Sequence, residues 1–145
     1  MLSTRICDVL LVEDDPGDVD LIRWAVREAR SECDLHVVHD GRAAAEFLLK
    51  RAHPHSESPL PSLVITDIRM PGQSGHDFLA WKKTRPELSK IPVVVLSGSA
   101  SRADLERSYA LGARSCLQKP STSVDLALLV RSLLAFWVGF NQDGL

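Results

Sequence analysis

No apolar run in this sequence is long enough to cross a membrane. Val9–Val12 is far too short, and no later run is long enough either. The N-terminus carries Arg5 but no apolar stretch of signal-peptide length. A cytoplasmic protein without membrane contact is therefore expected. Cysteine is scarce: Cys7, Cys33 and Cys116 are odd in number and far apart, with no CxxC pair and no Cys/His set at zinc-finger spacing. Three free thiols in a reducing compartment are expected. A charge excess is also lacking. Seventeen Lys and Arg stand against 19 Asp and Glu, a formal net charge of −2, which removes the electrostatic case for a nucleic-acid partner. The one tight basic group, Lys82, Lys83 and Arg85, reads as the solvated face of a helix. No internal repeat is visible, and no linker leads to a second domain.

What is present suffices for one folded unit. The chain has 145 residues, 45% hydrophobic and 25% charged, which suits a single domain over 1–145 with a C-terminal tail at 138–145. Apolar runs at Val9–Val12, Leu63–Ile65, Val93–Leu96 and, more weakly, Ser115–Leu117 read as buried strands. Leu35–Val38 reads as an edge strand. Helical patterns alternate with them. Asp15 can cap and Pro16 can open a helix carrying Val19, Ile22, Val26 and Ala29 at helical spacing. Ala43–Leu49 forms a second, and Gly75 precedes a third that Pro86 stops. Ser101 and Asp104 suggest a capping box for a fourth, with Leu105 and Tyr109 on its inner face and Gly112 at its end. A fifth starts near Thr122 and carries Leu126, Leu129, Val130, Leu133 and Leu134. Five βα units imply a parallel sheet with helices on both faces, a doubly wound α/β fold.

Two of the strands end in acid. Leu10–Asp15 reads LLVEDD and Leu63–Asp67 reads LVITD. In an open α/β sheet the ligand crevice lies outside the carboxyl ends of the strands, so Glu13, Asp14 and Asp67 can converge there. Clustered carboxylates are costly without a cation, and all-oxygen ligands favour a hard ion, Mg²⁺ before Zn²⁺. Ser97 and Lys119 end the fourth and fifth strands. An acidic metal pocket with one hydroxyl and one ammonium suits phosphoryl transfer, with a carboxylate as nucleophile. Asp15 reads as a helix cap rather than a metal ligand. His53 and His55 form an HxH pair, but in a Pro-rich loop that reads as solvated.

LLVEDD, LVITDIRMPG, VVVLSGSA and GARSCLQKP, in that order and each at a strand end, resemble the response-regulator receiver domain. The resemblance runs from about Cys7 to Trp137. It implies a flavodoxin-like (βα)5 fold of five parallel strands in order 2-1-3-4-5. It implies that Asp67 accepts a phosphoryl group from a histidine kinase phosphohistidine. Glu13, Asp14, Asp67 and the backbone carbonyl of Arg69 would hold Mg²⁺, Ser97 and Lys119 would contact the phosphoryl oxygens, and the Lys119–Pro120 bond would be cis. Within the family, the chain looks most like the single-domain type that includes phytochrome response regulators, so a phytochrome-type kinase is an implied partner.

One position departs from the family pattern. Cys116 stands three residues before Lys119, where receivers carry Tyr or Phe. Cys116 is expected to fill a small site on the last strand; the alternative is a rewired output that runs mainly through Gly98–Ala100 or through dimerisation. Arg69 and Ser99 sit where the family tunes loss of the phosphoryl group, and the long cation at Arg69 predicts slow loss. Phe136, Trp137 and Phe140 mark the C-terminal helix region either as a candidate homodimer face or as residues that close the core. Two other functions compete with the stand-alone switch. One is a phosphate-independent interaction module. The other is a Mg²⁺-dependent aspartyl-phosphate phosphohydrolase, disfavoured because the second acid such enzymes carry two residues after the nucleophile is here Arg69. A switch, not an enzyme, is expected.

Overall fold

The computed structural model describes residues 7–29 and 32–139. Phe140, the last aromatic of the candidate dimer face, lies outside the described residues, as does most of the expected tail.

Five parallel strands, β1 (Cys7–Val12), β2 (Cys33–Val38), β3 (Leu63–Thr66), β4 (Val93–Ser97) and β5 (Ser115–Gln118), pair in the order β2-β1-β3-β4-β5. The helices are α1 (Pro16–Ala29), α2 (Gly41–Ala52), α3 (Gly75–Lys83), α4 (Arg102–Ala110) and α5 (Ser123–Leu134), with a π-helical turn at Ala135–Gly139. Alternation along β1 divides the core. Val9 and Leu11 pack with α1 and α5, whereas Leu10 and Val12 pack with α2 and α3. The chain order reverses between β1 and β3, so the crevice at this switch point is walled by the ends of those two strands.

Capping residues fix where the helices start. Asp15 accepts from the backbone N–H of Asp18 at 2.9 Å, the expected cap. Asp40, Ser74, Ser101 and Thr122 cap the other four. In α3 and α4 the third helical residue, Asp77 or Asp104, also accepts from the cap's backbone N–H and closes a capping box. Gly112, at φ 101°, follows α4 in the left-handed region, as expected of a helix stop.

Several expectations are corrected here. Cys7 and Cys33 are joined as a disulfide, leaving Cys116 as the one free thiol. The two are 26 residues apart in sequence but directly opposite in the β1–β2 register. All described peptide bonds, Lys119–Pro120 included, are trans. Tyr109 is not on the inner face of α4: it is 53% exposed, and the helix buries Ser108 instead. Ser108 is drawn in because His76 of α3 hydrogen-bonds its Oγ at 2.8 Å. Lys82 is largely buried rather than on a solvated face, because its stem lies on the inner stripe of α3, four residues after Phe78 and three after Leu79. Trp24 is half exposed.

Candidate functional site

Glu13 follows β1, Asp67 follows β3 and Lys119 follows β5, so three strand ends deliver side chains to one crevice. The Asp67 N–H donates to the carbonyl of Val12 at 3.1 Å and holds the first two ends together. The Lys119 N–H donates to the carbonyl of Ser97 at 2.8 Å and ties the fifth end to the fourth. Glycine is required behind Asp67, since a Cβ at Gly75 would overlap the Asp67 carbonyl oxygen.

The ammonium of Lys119 is the centre of the site. It donates to Glu13 Oε1 at 2.5 Å, Asp18 Oδ2 at 2.7 Å and Asp67 Oδ2 at 3.1 Å. Glu13 is 2% exposed, and burial pushes its carboxyl above the usual range against the opposing pull of Lys119. Burial opposes the charge on Lys119 too. Its hydrogen bonds to Asp18 and Glu13 outweigh that and hold the ammonium above its ordinary range. The other oxygens are also committed. Glu13 Oε2 accepts the N–H groups of Asp14 and Asp15 at 3.0 and 3.1 Å, and Asp67 Oδ1 accepts the Ile68 N–H at 2.7 Å.

Of the expected site residues, Glu13, Asp67 and Lys119 meet directly. Asp14 is exposed on the rim. Ser97 is buried, and its Oγ accepts the Ser99 N–H at 3.4 Å. The Arg69 guanidinium turns away to α4, donating to Asp104 Oδ2 at 2.8 Å and to the Ser99 carbonyl at 3.4 Å. Two residues at the site were not read from sequence. His39 Nδ1 lies 3.1 Å from the Glu13 carbonyl oxygen, so β2 does contribute a group. Asp18 reaches Lys119 from the first turn of α1. Its signal was its helical position: third in a helix beginning just after the acid-ended strand, it faces the rim from above.

Among the described residues, the group of three ligand-type side chains in mutual reach is elsewhere. Asp8, Asp34 and His36 present ligand atoms within 4.8 Å of one another at the opposite end of β1 and β2. Asp8 there lies 2.8 Å from His36 Nε2 and 3.5 Å from Arg51 Nη1, so the Arg51 cation already stands beside it.

An acid–lysine crevice at the β1/β3 switch point of a 2-1-3-4-5 sheet is a family-level arrangement. The sequence profile of the response regulator receiver domain matches residues 9–131. The chain belongs to this family.

As a receiver, it is similar to Response regulator Rcp1 from Synechocystis sp., at 34% identity over 90% of this chain and 88% of that protein. It is also similar to the probable methanogenesis regulatory protein FilR2 from Methanothrix harundinacea, at 36% identity over 93% of this chain and 86% of that one. Among solved structures, the phosphorylated cyanobacterial phytochrome response regulator RcpA superposes with a TM-score of 0.82 at 30% identity, covering 91% of this chain and 94% of RcpA. The Mn²⁺-bound form of Rcp1 gives a TM-score of 0.80 at 32% identity, covering 93% of this chain and 96% of that one. The receiver is a two-component response regulator, of a family whose receiver domains interact with histidine kinases. No helix among its described residues is long and apolar enough to cross a membrane.

The departure at Cys116 has a structural counterpart in this receiver. The Cys116 N–H donates to the hydroxyl of Tyr109 at 3.1 Å, so an aromatic from α4, rather than one on β5, links the two elements. Burial pushes the Cys116 thiol up, consistent with a packing residue.

Proposed function

We propose that Asp67 is the residue that accepts the phosphoryl group. The observation that carries this reading is the Lys119 ammonium lying between Glu13 and Asp67, a cation held where two strand-end acids converge. The donor set, carboxylates alone around a stand-in cation, suits a hard divalent ion, and Rcp1 is solved with Mn²⁺. Glu13, Asp14, Asp67 and the Arg69 carbonyl would hold that ion, proposed as Mg²⁺. Bound there, it screens the charge between Asp67 and the incoming group.

A carboxylate oxygen of Asp67 attacks the phosphorus of a phosphohistidine in line. The O–P bond forms, the N–P bond breaks, and the imidazole leaves with the electron pair of that bond. Lys119 neutralises phosphoryl oxygens, and the Ser97 hydroxyl donates to one of them. The product carries nearly two negative charges where one stood, which draws Ser97 inward and biases Gly98–Ala100 and α4. Arg69, now on Asp104 and the Ser99 carbonyl, connects the acceptor loop to that same helix. The reading makes the protein a switch of protein contacts in a single domain acting in the cytoplasm, rather than a turnover enzyme.

The donor is proposed to be a phytochrome-type histidine kinase, supported by the likeness to RcpA. Phosphotransfer from a panel of labelled kinases tests this. Label should pass fastest from a phytochrome-type kinase and not at all to Asp67→Asn. Faster transfer from another class would replace the donor while keeping the acceptor. Phe136, 59% exposed and edge-on to Trp137 at 4.9 Å, supports a homodimer through the C-terminal helix region. Light scattering that shows monomer alone, with and without beryllofluoride, would remove the dimer.

A further inference from the structure

The inner stripe of α3 runs Phe78, Leu79 and then Lys82. An apolar side chain would complete it, yet a lysine 9% exposed occupies the place. Lys82 has no hydrogen bond or ion pair among the described residues. No buried side-chain nitrogen there lacks a partner either, so its Nζ reaches solvent. The space it reaches is a cleft of about 270 Å³ between the C-terminal ends of α3 and α4. Lys83, Arg85, Arg114 and Ser89 also line the cleft, and no acidic side chain does.

The neighbouring cations are held by groups that leave the cleft positive. Lys83 Nζ donates to the Ala110 carbonyl at 2.9 Å, and Arg114 Nη2 donates to the Ser89 carbonyl at 3.3 Å. Arg85 lies over the Trp81 ring and 3.8 Å from Glu87, which offsets one charge from outside. Helix C-terminal carbonyls favour cations nearby, but they supply partial charge only. Burial first, and then Arg114, push the Lys82 ammonium below its usual range, as befits a cation short of a counter-charge.

We propose that this cleft binds a small phosphate-bearing anion, with Lys82 as its central contact. Lysine ammoniums and an arginine fork around one small opening suit a multiply charged oxyanion, because charge-assisted bonds to phosphate are the strong ones. The site lies at the N-terminal rim of the strands, away from Asp67, and does not depend on the phosphoryl-acceptor reading.

Pyrophosphate and inorganic phosphate serve as probes, titrated into the whole chain without divalent metal, with sodium chloride matching ionic strength. Amide shifts in NMR should cluster at Ser89, Gly112 and Arg114. The variant Lys82→Leu restores the apolar stripe and should fold at least as stably. It should weaken pyrophosphate binding about tenfold or more, as loss of one charge-assisted contact does. Arg114→Gln should weaken it as well. Shifts gathered at Asp67 and Lys119, equal affinity in Lys82→Leu, or an effect that sodium chloride alone reproduces would each overturn the proposal.

Discussion

The Oδ2 of Asp18 lies 2.7 Å from the Nζ of Lys119. Asp18 is third in α1, where Asp77 in α3 and Asp104 in α4 turn back to their caps. Asp18 is released from that duty because the N–H of its cap, Asp15, is taken by Glu13 Oε2 at 3.1 Å. Its carboxylate goes to Lys119 instead. If a divalent ion takes oxygens of Glu13 and Asp67 as proposed, Asp18 would be the partner Lys119 retains. Asp18→Asn should weaken Mg²⁺ binding about fivefold, the order of one partly exposed charge pair. In a Lys119→Met background the same change should matter less. Calorimetry checks both, and equal Mg²⁺ affinity in Asp18→Asn would contradict the assignment.

The bridge from Arg69 to Asp104 bears on the lifetime of the phosphoryl group. The N–H of Ser101 and the Arg69 guanidinium hold the Asp104 carboxyl at about 2, so the pair is ionised throughout the neutral range. Tethered to the Ser99 carbonyl and Asp104, the long Arg69 side chain would cover the approach of water to an acyl phosphate on Asp67. Purified phosphoprotein should lose its phosphoryl group slowly, and Arg69→Ala should lose it faster. Intact-mass time courses read both rates. A lifetime of seconds in the unmodified chain would contradict this role.

Much of this arrangement was legible in the sequence, for identifiable reasons. Val9–Val12 and Val93–Leu96 are buried on both faces and so appear as unbroken apolar runs. Glu13 and Asp67 follow such runs and Lys119 follows the weaker, half-buried run at Ser115–Leu117, so their convergence could be read from the rule that crevices lie at strand ends. The strand order came from the family resemblance. Asp18 is not legible from the strand-end rule, because it stands in a helix's first turn. Lys82 stands with Lys83 and Arg85 as a charge run in sequence, although its spacing from Phe78 and Leu79 marks it as inward. The Cys7–Cys33 pairing depends on the β1–β2 register, which apolar patterning alone leaves open. His76 and Ser108 are 32 residues apart and meet only through the packing of α3 on α4.

That buried pair sets a pH dependence. Burial, and then Arg107, lower the pKa of His76 from its ordinary 6.5. The unfolded chain therefore binds a proton at His76 before the folded chain does. The stability from the neutral ring is complete above about pH 6.5 and is lost as pH falls from there through the lower folded value. Urea unfolding at stepped pH should show this slope, and His76→Gln should flatten it. An unchanged slope in the variant would assign the dependence to other groups.

Gly75 tests the packing behind the acceptor. Gly75→Ala forces a methyl group against the Asp67 carbonyl. It should cost about 1–3 kcal/mol, the usual range for overpacking a tight site. It should also slow phosphorylation by displacing Asp67. Urea unfolding gives the first quantity, and a phosphorylation time course the second. Wild-type stability would mean that the loop shifts freely.

The central claim is that Asp67 accepts the phosphoryl group. Intact-mass spectrometry after incubation with phosphoramidate and Mg²⁺ tests it most directly. The account predicts a gain of one phosphoryl group in the unmodified chain, none in Asp67→Asn and none when the metal is chelated. No gain, or an equal gain in Asp67→Asn, would contradict it.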